Sequence, residues 1–358
     1  MQLQKPTIDR LELIADLAAE LRRAGVRCCI WKGTSTFEQV LQGEKDIDLL
    51  IDRAHFTQFL SIAVRLEFRA CAARYPVPGV FDFLAVDEAT GKLVHLHLHL
   101  RIIAGHPLTH NYHLPVERLV LESRIQGRLF DQISSELEYL VFVSRMALYR
   151  NRVNARRQEE YQILYSKLNG EIPEETRADV LPMIPTSLWN ETCRALREGK
   201  LGSWGWRWIR HQWHARLRCE TVNSQMHELA LRLWRRIERF LKRKIPGSSA
   251  GKLQIKGVAN YFIVCSESFE SARLAAQILH DWLCDYIEVR VNSLQPRQRR
   301  SRPAGQHLEL IPIASNSDSS GSVTLSQSIH SISVPEAIDA LQDASVVKQL
   351  KLQLWRNL

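Results

Sequence analysis

From Val94 to Leu100 the chain reads Val-His-Leu-His-Leu-His-Leu, a strict alternation. A period of two is that of a β-strand, whose successive side chains leave opposite faces of the sheet. His95, His97 and His99 therefore share one face, and Val94, Leu96, Leu98 and Leu100 share the other. The aliphatic face requires a covering layer. The imidazole face is open to two readings. It is the polar side of a half-exposed strand, or it does chemistry: three imidazoles in a row suit a metal, a phosphate or a base role.

A second strand is expected at Asp46 to Ile51, with Asp46 and Asp48 on one face and Ile47 and Leu49 on the other. Two carboxylates projecting together repel each other. A divalent cation relieves that repulsion, and hard oxygen donors suit Mg²⁺. Alone, such a pair is common on solvated surfaces. Here it follows a short strand, Arg27 to Trp31, and then Lys32-Gly33-Thr34-Ser35. A glycine at that point lets backbone approach a phosphate, and the next amides and hydroxyls can donate to it. The same residues also make an ordinary strand-to-helix turn.

Around these lie further elements. A helix is expected over residues 8 to 24, with Thr7 as N-cap and Gly25 as stop. A short helix follows at Thr36 to Leu41 and another at 54 to 66. Strands are expected at Val80 to Val86 and Lys92 to Ile102, joined by a turn over Asp87 to Gly91. Ser135 and Glu138 have the spacing of a capping box that opens a long helical stretch to about Lys244. IPGSSAG, residues 245 to 251, reads as a linker. A strand (Val258 to Val264), a helix (Phe269 to Leu283) and a strand (Ile287 to Val291) come next. Residues 314 to 333 are serine-rich and expected to be flexible, and the tail from Pro335 is expected to be helical.

The order strand, Gly33-Thr34-Ser35, short helix, then Asp46-Ile47-Asp48-Leu49-Leu50-Ile51-Asp52 resembles the polymerase-β superfamily of nucleotidyltransferases. The resemblance implies an α/β (α+β) domain, an NTP as substrate and Mg²⁺ or Mn²⁺ as cofactor. It implies that Asp46 and Asp48 hold metal, and that Lys32, Gly33, Thr34 and Ser35 lie against the nucleotide's phosphates. That superfamily adds a third carboxylate from a later strand. The later strand here offers His95, His97 and His99 instead, with His97 the central candidate and Asp82 and Asp87 held in reserve. Such a site is expected to prefer Mn²⁺ over Mg²⁺. It should lose its cation as pH falls through the ordinary histidine value of about 6.5.

GKLVHLHLHLRIIAG and the later SSELEYLVFVSRMALYR resemble a bacterial group in which such a domain is joined to a thymidylate-kinase-like P-loop domain. That implies a nucleotidyltransferase-like domain at 1–125, a helical domain at 126–247, a kinase-like module at 252–313, and a linker with a C-terminal helix at 314–358. The phosphate loop is not intact. Aligned by the strand at 258–264 and the helix at 269–283, its fixed positions fall on Cys265, Glu270, Ser271 and Ala272. None is the glycine, lysine or hydroxyl that the pattern needs, and Glu267 and Glu270 would oppose an anion. The reading is a degenerate module; an unrelated βαβ unit is the alternative.

Charge bears on partners. The net charge is +9, and residues 194–244 hold fourteen Lys/Arg against four Glu, with five tryptophans interleaved. That segment suits an anionic partner, RNA or a membrane surface. It equally suits an amphipathic layer packed on the first domain with its basic face in water. No run reaches the length of a membrane span, and the first ten residues lack the apolar core of a signal peptide. The seven cysteines are odd in number and form no C-x-x-C pair, as expected of free thiols in a cytoplasmic protein.

Overall fold

The computed structural model describes residues 10–73, 75–105, 109, 111–149, 155–168, 172–199, 204–217, 225–243, 253–255, 261–266, 269–283, 286–287, 289–291, 308–314, 330–333 and 341–357. The architecture is mixed α and β. It begins with α1 (Glu12–Arg23), β1 (Cys28–Ile30), a 3-10 turn (Thr34–Thr36), α2 (Phe37–Leu41), β2 (Ile47–Ile51) and α3 (Phe56–Arg65). Then come β3 (Arg69–Ala73), β4 (Val80–Val86), β5 (Leu93–His99), and the small hairpin β6 (Ile102–Ala104) and β7 (Tyr112–Leu114). Seven helices follow: α4 (Glu117–Glu122), α5 (Ser135–Tyr149), α6 (Ala155–Ser166), α7 (Glu174–Val180), α8 (Thr186–Glu198), α9 (Trp204–Arg216) and α10 (Gln225–Arg243). The chain continues with β8 (Leu253–Ile255), β9 (Tyr261–Ser266), α11 (Phe269–Leu283), β10 (Val289–Val291), β11 (Leu308–Ala314), β12 (His330–Ser333) and α12 (Ala344–Asn357).

The main sheet has the order β1-β2-β5-β4-β3-β8. β2 and β5 run parallel, with Asp48 opposite His97 and Leu50 opposite His99. β4 and β5 are antiparallel, with Asp82 opposite His97 and Leu84 opposite His95. One face is wholly apolar. Ile47, Leu49, Ile51, Phe83, Ala85, Val94, Leu96 and Leu98 join Ile14, Leu17, Leu21 of α1 and Phe59, Ile62 of α3 in a single core. These helical positions recur at the spacing of one helix face, which is why both helices lie on the sheet. Each fully buried leucine or isoleucine there contributes about 1.5–3 kcal/mol.

The other face is divided. At the β1–β2 end, Cys29, Trp31 and Leu50 enter a core made with α5, α8 and α9. At the β3–β4 end, Cys71, Leu84, Val86 and Leu93 enter a core with Val264, Leu310, α11 and α12. Between the two cores the strands present only polar side chains.

Several elements differ from expectation. β3 was not anticipated, because Arg-Ala-Cys-Ala-Ala carries no period-two signal. β8 falls just past the expected linker and pairs with β3, so it belongs to the main sheet. The expected strand to Ile102 breaks at Leu100 and Arg101 before β6. Of the strand expected at 258–264, residues 261–264 lie in β9 and 258–260 lie outside the described residues; β9, β10, β11 and β12 form a parallel sheet ordered β10-β11-β9-β12. β12 lies inside the serine-rich stretch, and α12 packs in the same core as α11. Thr7 and Glu267 lie outside the described residues.

Candidate metal centre

Asp48, His97 and Asp82 form a straight row across three adjacent strands, β2, β5 and β4. The pleat sets the row, since residues in register across a sheet project to the same side. His95 and His99 flank the row two residues either way, and Asp46 stands just before β2.

Asp48 Oδ1 is the point of convergence. Lys32 Nζ lies 2.7 Å from it, and His97 Nδ1 and His99 Nε2 each lie 3.4 Å away. On the far side, His97 Nε2 lies 2.9 Å from Asp82 Oδ1, and His95 Nε2 lies 3.2 Å from the same atom. His95 Nδ1 is 3.0 Å from Asp46 Oδ1, at ion-pair distance but out of line for a hydrogen bond. The rings of His95 and His97 meet edge to face with centroids 4.2 Å apart. Asp82 and His95 are deeply buried, whereas His97 and Asp46 are the members open to solvent, at 29% and 40% of the side chain.

The protonation pattern follows from this geometry. Both nitrogens of His97 face carboxylates, and only the imidazolium can donate to both. Burial opposes that charge, but Asp48 and Asp82 outweigh it and raise His97 to about 9. His99 is the reverse. Burial, only partly offset by Asp48, lowers it to about 4. Its Nδ1 is buried with no hydrogen-bond partner among the described residues. Burial also raises Asp48 and Asp82, yet the neighbouring cations prevail. Lys32 and the imidazoles hold Asp48 well below the usual carboxylate range, and His95 and His97 depress Asp82. Asp46 is likewise lowered against its burial, chiefly by His95. Lys32 itself is lowered by burial, with Asp48 resisting.

The donor set fits a divalent ion. Asp48, His97 and His99 offer atoms all within 4.8 Å of one another, and Asp46, His95 and His97 form a second such group. Mixed imidazole and carboxylate donors suit Mn²⁺ or Zn²⁺ better than Mg²⁺. A cation at either group must displace the second proton of His97. This revises the pH dependence expected from sequence, because the relevant histidine titrates at about 9 and not near 6.5.

The turn after β1 stands beside this row. Gly33 has φ +75°, the left-handed region in which a side chain is strained, and it opens the 3-10 turn of Thr34, Ser35 and Thr36. Lys32 points into the sheet face at Asp48. Thr34 donates its backbone N–H (3.1 Å) and its hydroxyl (2.5 Å) to the two carboxylate oxygens of Glu138 on α5. Lys167 donates to the Thr34 hydroxyl at 3.3 Å. Burial raises the Glu138 carboxyl, with the two Thr34 hydrogen bonds opposing it.

The structure therefore brings the sequence candidates Lys32, Asp46, Asp48, His95, His97 and His99 to one place, with Gly33, Thr34 and Ser35 in the adjoining turn. Of the two reserve carboxylates, Asp82 joins the row. Asp87 does not: it accepts from Leu13 N–H, Thr90 N–H and the Thr90 hydroxyl, and fixes the β4–β5 turn. Glu138 was expected to close a capping box on its own helix. Ser134 caps that helix instead, accepting from Leu137 N–H, and Glu138 reaches out to Thr34. Cys28, Cys29, Cys71 and Cys193 are free thiols buried in the cores.

No protein-family model matches this chain, and no curated protein matches it. Among solved structures it is similar to the crystal structure of JHP933 from Helicobacter pylori, at 10% identity and a TM-score of 0.31, covering 64% of this chain and 98% of that one. A likeness that slight carries no argument about fold or chemistry.

Proposed function

We propose that the chain is a metal-dependent nucleotidyltransferase that moves a nucleotidyl group from an NTP to an acceptor hydroxyl or phosphate. One observation carries the reading: three aspartates and three imidazoles share a single sheet face with a lysine and a left-handed glycine turn at its rim. Asp48, His97 and His99 would hold one cation and Asp46 and His95 would border it. When bound, such a cation neutralises phosphate charge and favours the deprotonated acceptor. The chain's own groups do the rest. Lys32 carries positive charge at the floor of the site. Asp82 accepts from His97 and fixes its ring. The Thr34 amide and hydroxyl are donors of the kind that orient a phosphate, once Glu138 yields them.

A second reading is a fold of this kind that binds nucleotide without turning it over. What favours it is internal satisfaction: Lys32 is paired with Asp48, His97 bridges two aspartates, and the Thr34 donors are engaged by Glu138. Isothermal titration with the four NTPs, each with Mg²⁺ or Mn²⁺, tests binding. Pyrophosphate release in the same mixtures separates the two readings. Binding with release that Asp48→Asn abolishes supports transfer, and binding without release supports the second. Absence of binding with either metal overturns both.

A further inference from the structure

Helix α10 is mounted with its polar side inward. Glu228 is buried and accepts from Thr109 Oγ1 and Asn111 Nδ2, both at 3.0 Å, and from Arg232. Two and nearly three turns on from Glu228, Arg235 stacks over the Tyr75 ring at 4.5 Å, and Glu238 accepts from the Tyr75 hydroxyl at 2.9 Å. Positions 228, 232, 235 and 238 recur at three and four residues, so they form one helix face, and that face is turned toward the protein. The opposite face carries Met226, Leu229, Leu233, Trp234 and Ile237, and these are 45–76% exposed. Burying them would release water from a continuous apolar strip, and nothing among the described residues does so. An ordinary surface helix shows the reverse arrangement. α9, just before it, follows the rule and buries Trp206, Ile209 and Trp213.

Charge identifies what the strip meets. α10 has six Lys/Arg and two Glu. Glu228 pairs with Arg232 and Glu238 accepts from Tyr75, both on the inward face, while Arg236 is exposed at the edge of the strip. A second copy of the same helix would bring like charge against like charge. RNA would need cations at the centre of the outward face, where this helix has Met, Leu and Ile. An anionic bilayer answers both halves, with acyl chains for the strip and headgroup phosphates for Arg236 at its edge. Trp234 is of the residue type concentrated at the membrane–water boundary. The helix is 19 residues long and too charged to cross, and no helix among the described residues is long and apolar enough to do so.

We propose that α10 is an in-plane docking helix that seats the protein on an anionic lipid surface. The inference is independent of the nucleotidyl-transfer reading. The test is flotation of the full chain with vesicles of phosphatidylcholine alone, or with phosphatidylglycerol as about one-third of the lipid. The protein should float with the anionic vesicles and stay behind with the neutral ones. Leu233→Glu should weaken partition by about tenfold or more, from lost apolar burial. Arg236→Glu, also exposed, should weaken it by about twenty-five-fold, since it changes two charges and each near such a surface is worth roughly a fivefold factor. Neither change touches the buried face, so thermal melting should be unaltered, which separates lost docking from lost folding. The proposal is overturned by failure of the wild-type chain to float, or by equal flotation of Leu233→Glu. It is likewise overturned by a lipid-free dimer that Leu233→Glu disperses, or by retention on single-stranded RNA that Leu233→Glu leaves intact.

Discussion

Asp82 and His97 face each other across the antiparallel β4–β5 ladder, with the ring Nε2 2.9 Å from the carboxylate. That pairing makes His97 a fixed cation rather than a free imidazole. Asp82→Asn should bring the His97 value down from about 9 toward the ordinary 6.5. The ring-proton shifts of His97 in an NMR titration give the reading, and an unchanged midpoint would remove Asp82 from the row.

The same pairing sets the pH range of stability. A histidine raised on folding stabilises fully below its unfolded value and ceases to as pH rises through the folded value. The His97 contribution should therefore be lost between roughly 6.5 and 9. Asp48 and Asp82 are depressed, so their contribution is present above an unfolded value of about 3.9 and is lost as pH falls below it. His99, lowered to about 4, adds a further loss as pH falls from about 6.5 to about 4, so melting temperature against pH should peak near about 6.5 and fall away on both sides. In Asp82→Asn the alkaline limb should start at lower pH.

Metal binding should tighten as pH rises toward 9, because the cation competes with a proton at His97. His97→Ala should reduce Mn²⁺-supported nucleotide binding. His113→Ala should not, since His113 pairs with Glu117 away from the row at 2.9 Å. Titration calorimetry at two pH values with both variants checks this, and equal effects of the two changes would return the histidine strand to a structural role.

Glu138 ties α5 to the turn after Gly33. Glu138→Ala removes the acceptor of two Thr34 hydrogen bonds and should lower unfolding free energy by about 1.5–3 kcal/mol, the range for bonds to a charged group. Urea unfolding measures it. Glu138→Gln keeps one acceptor and should cost less.

Gly33→Ala isolates the backbone. A Cβ there meets nothing closer than Thr36 Oγ1 at 3.7 Å, so the cost is conformational alone. It should be about 1–2 kcal/mol, the left-handed penalty for an L residue. A loss well above that, by the same urea measurement, would mean that the turn shifts and takes Lys32 with it.

How much of this was legible depended on period and on company. The alternation from Val94 to Leu100 fixed a strand, its two faces and the histidine row. Asp46 and Asp48 became informative because Gly33 preceded them at a short distance. Asp82 was visible only as a candidate, because a single aspartate in Val-Phe-Asp-Phe-Leu does not announce its cross-strand neighbour. Glu138 was visible but misassigned. Local spacing offered it a cap, and a partner 104 residues away took it instead. The orientation of α10 was not legible at all. Its amphipathic pattern is plain in sequence, but which side meets the protein depends on Tyr75, Thr109 and Asn111, far off in the chain.

The division of the polar sheet face between two apolar cores has a consequence for biosynthesis. Leu84, Val86 and Leu93 share their core with Leu350, Leu354 and Trp355 of α12. Roughly 250 residues separate β5 from α12, which at about 5–20 residues per second is on the order of ten to fifty seconds of translation. Through that interval the nascent chain holds a strand pair whose outer flank has no cover. The sheet that carries the metal-ligand row thus completes its packing only after synthesis has reached α12, and an N-terminal fragment made alone would meet a chaperone or aggregate before it met a cation.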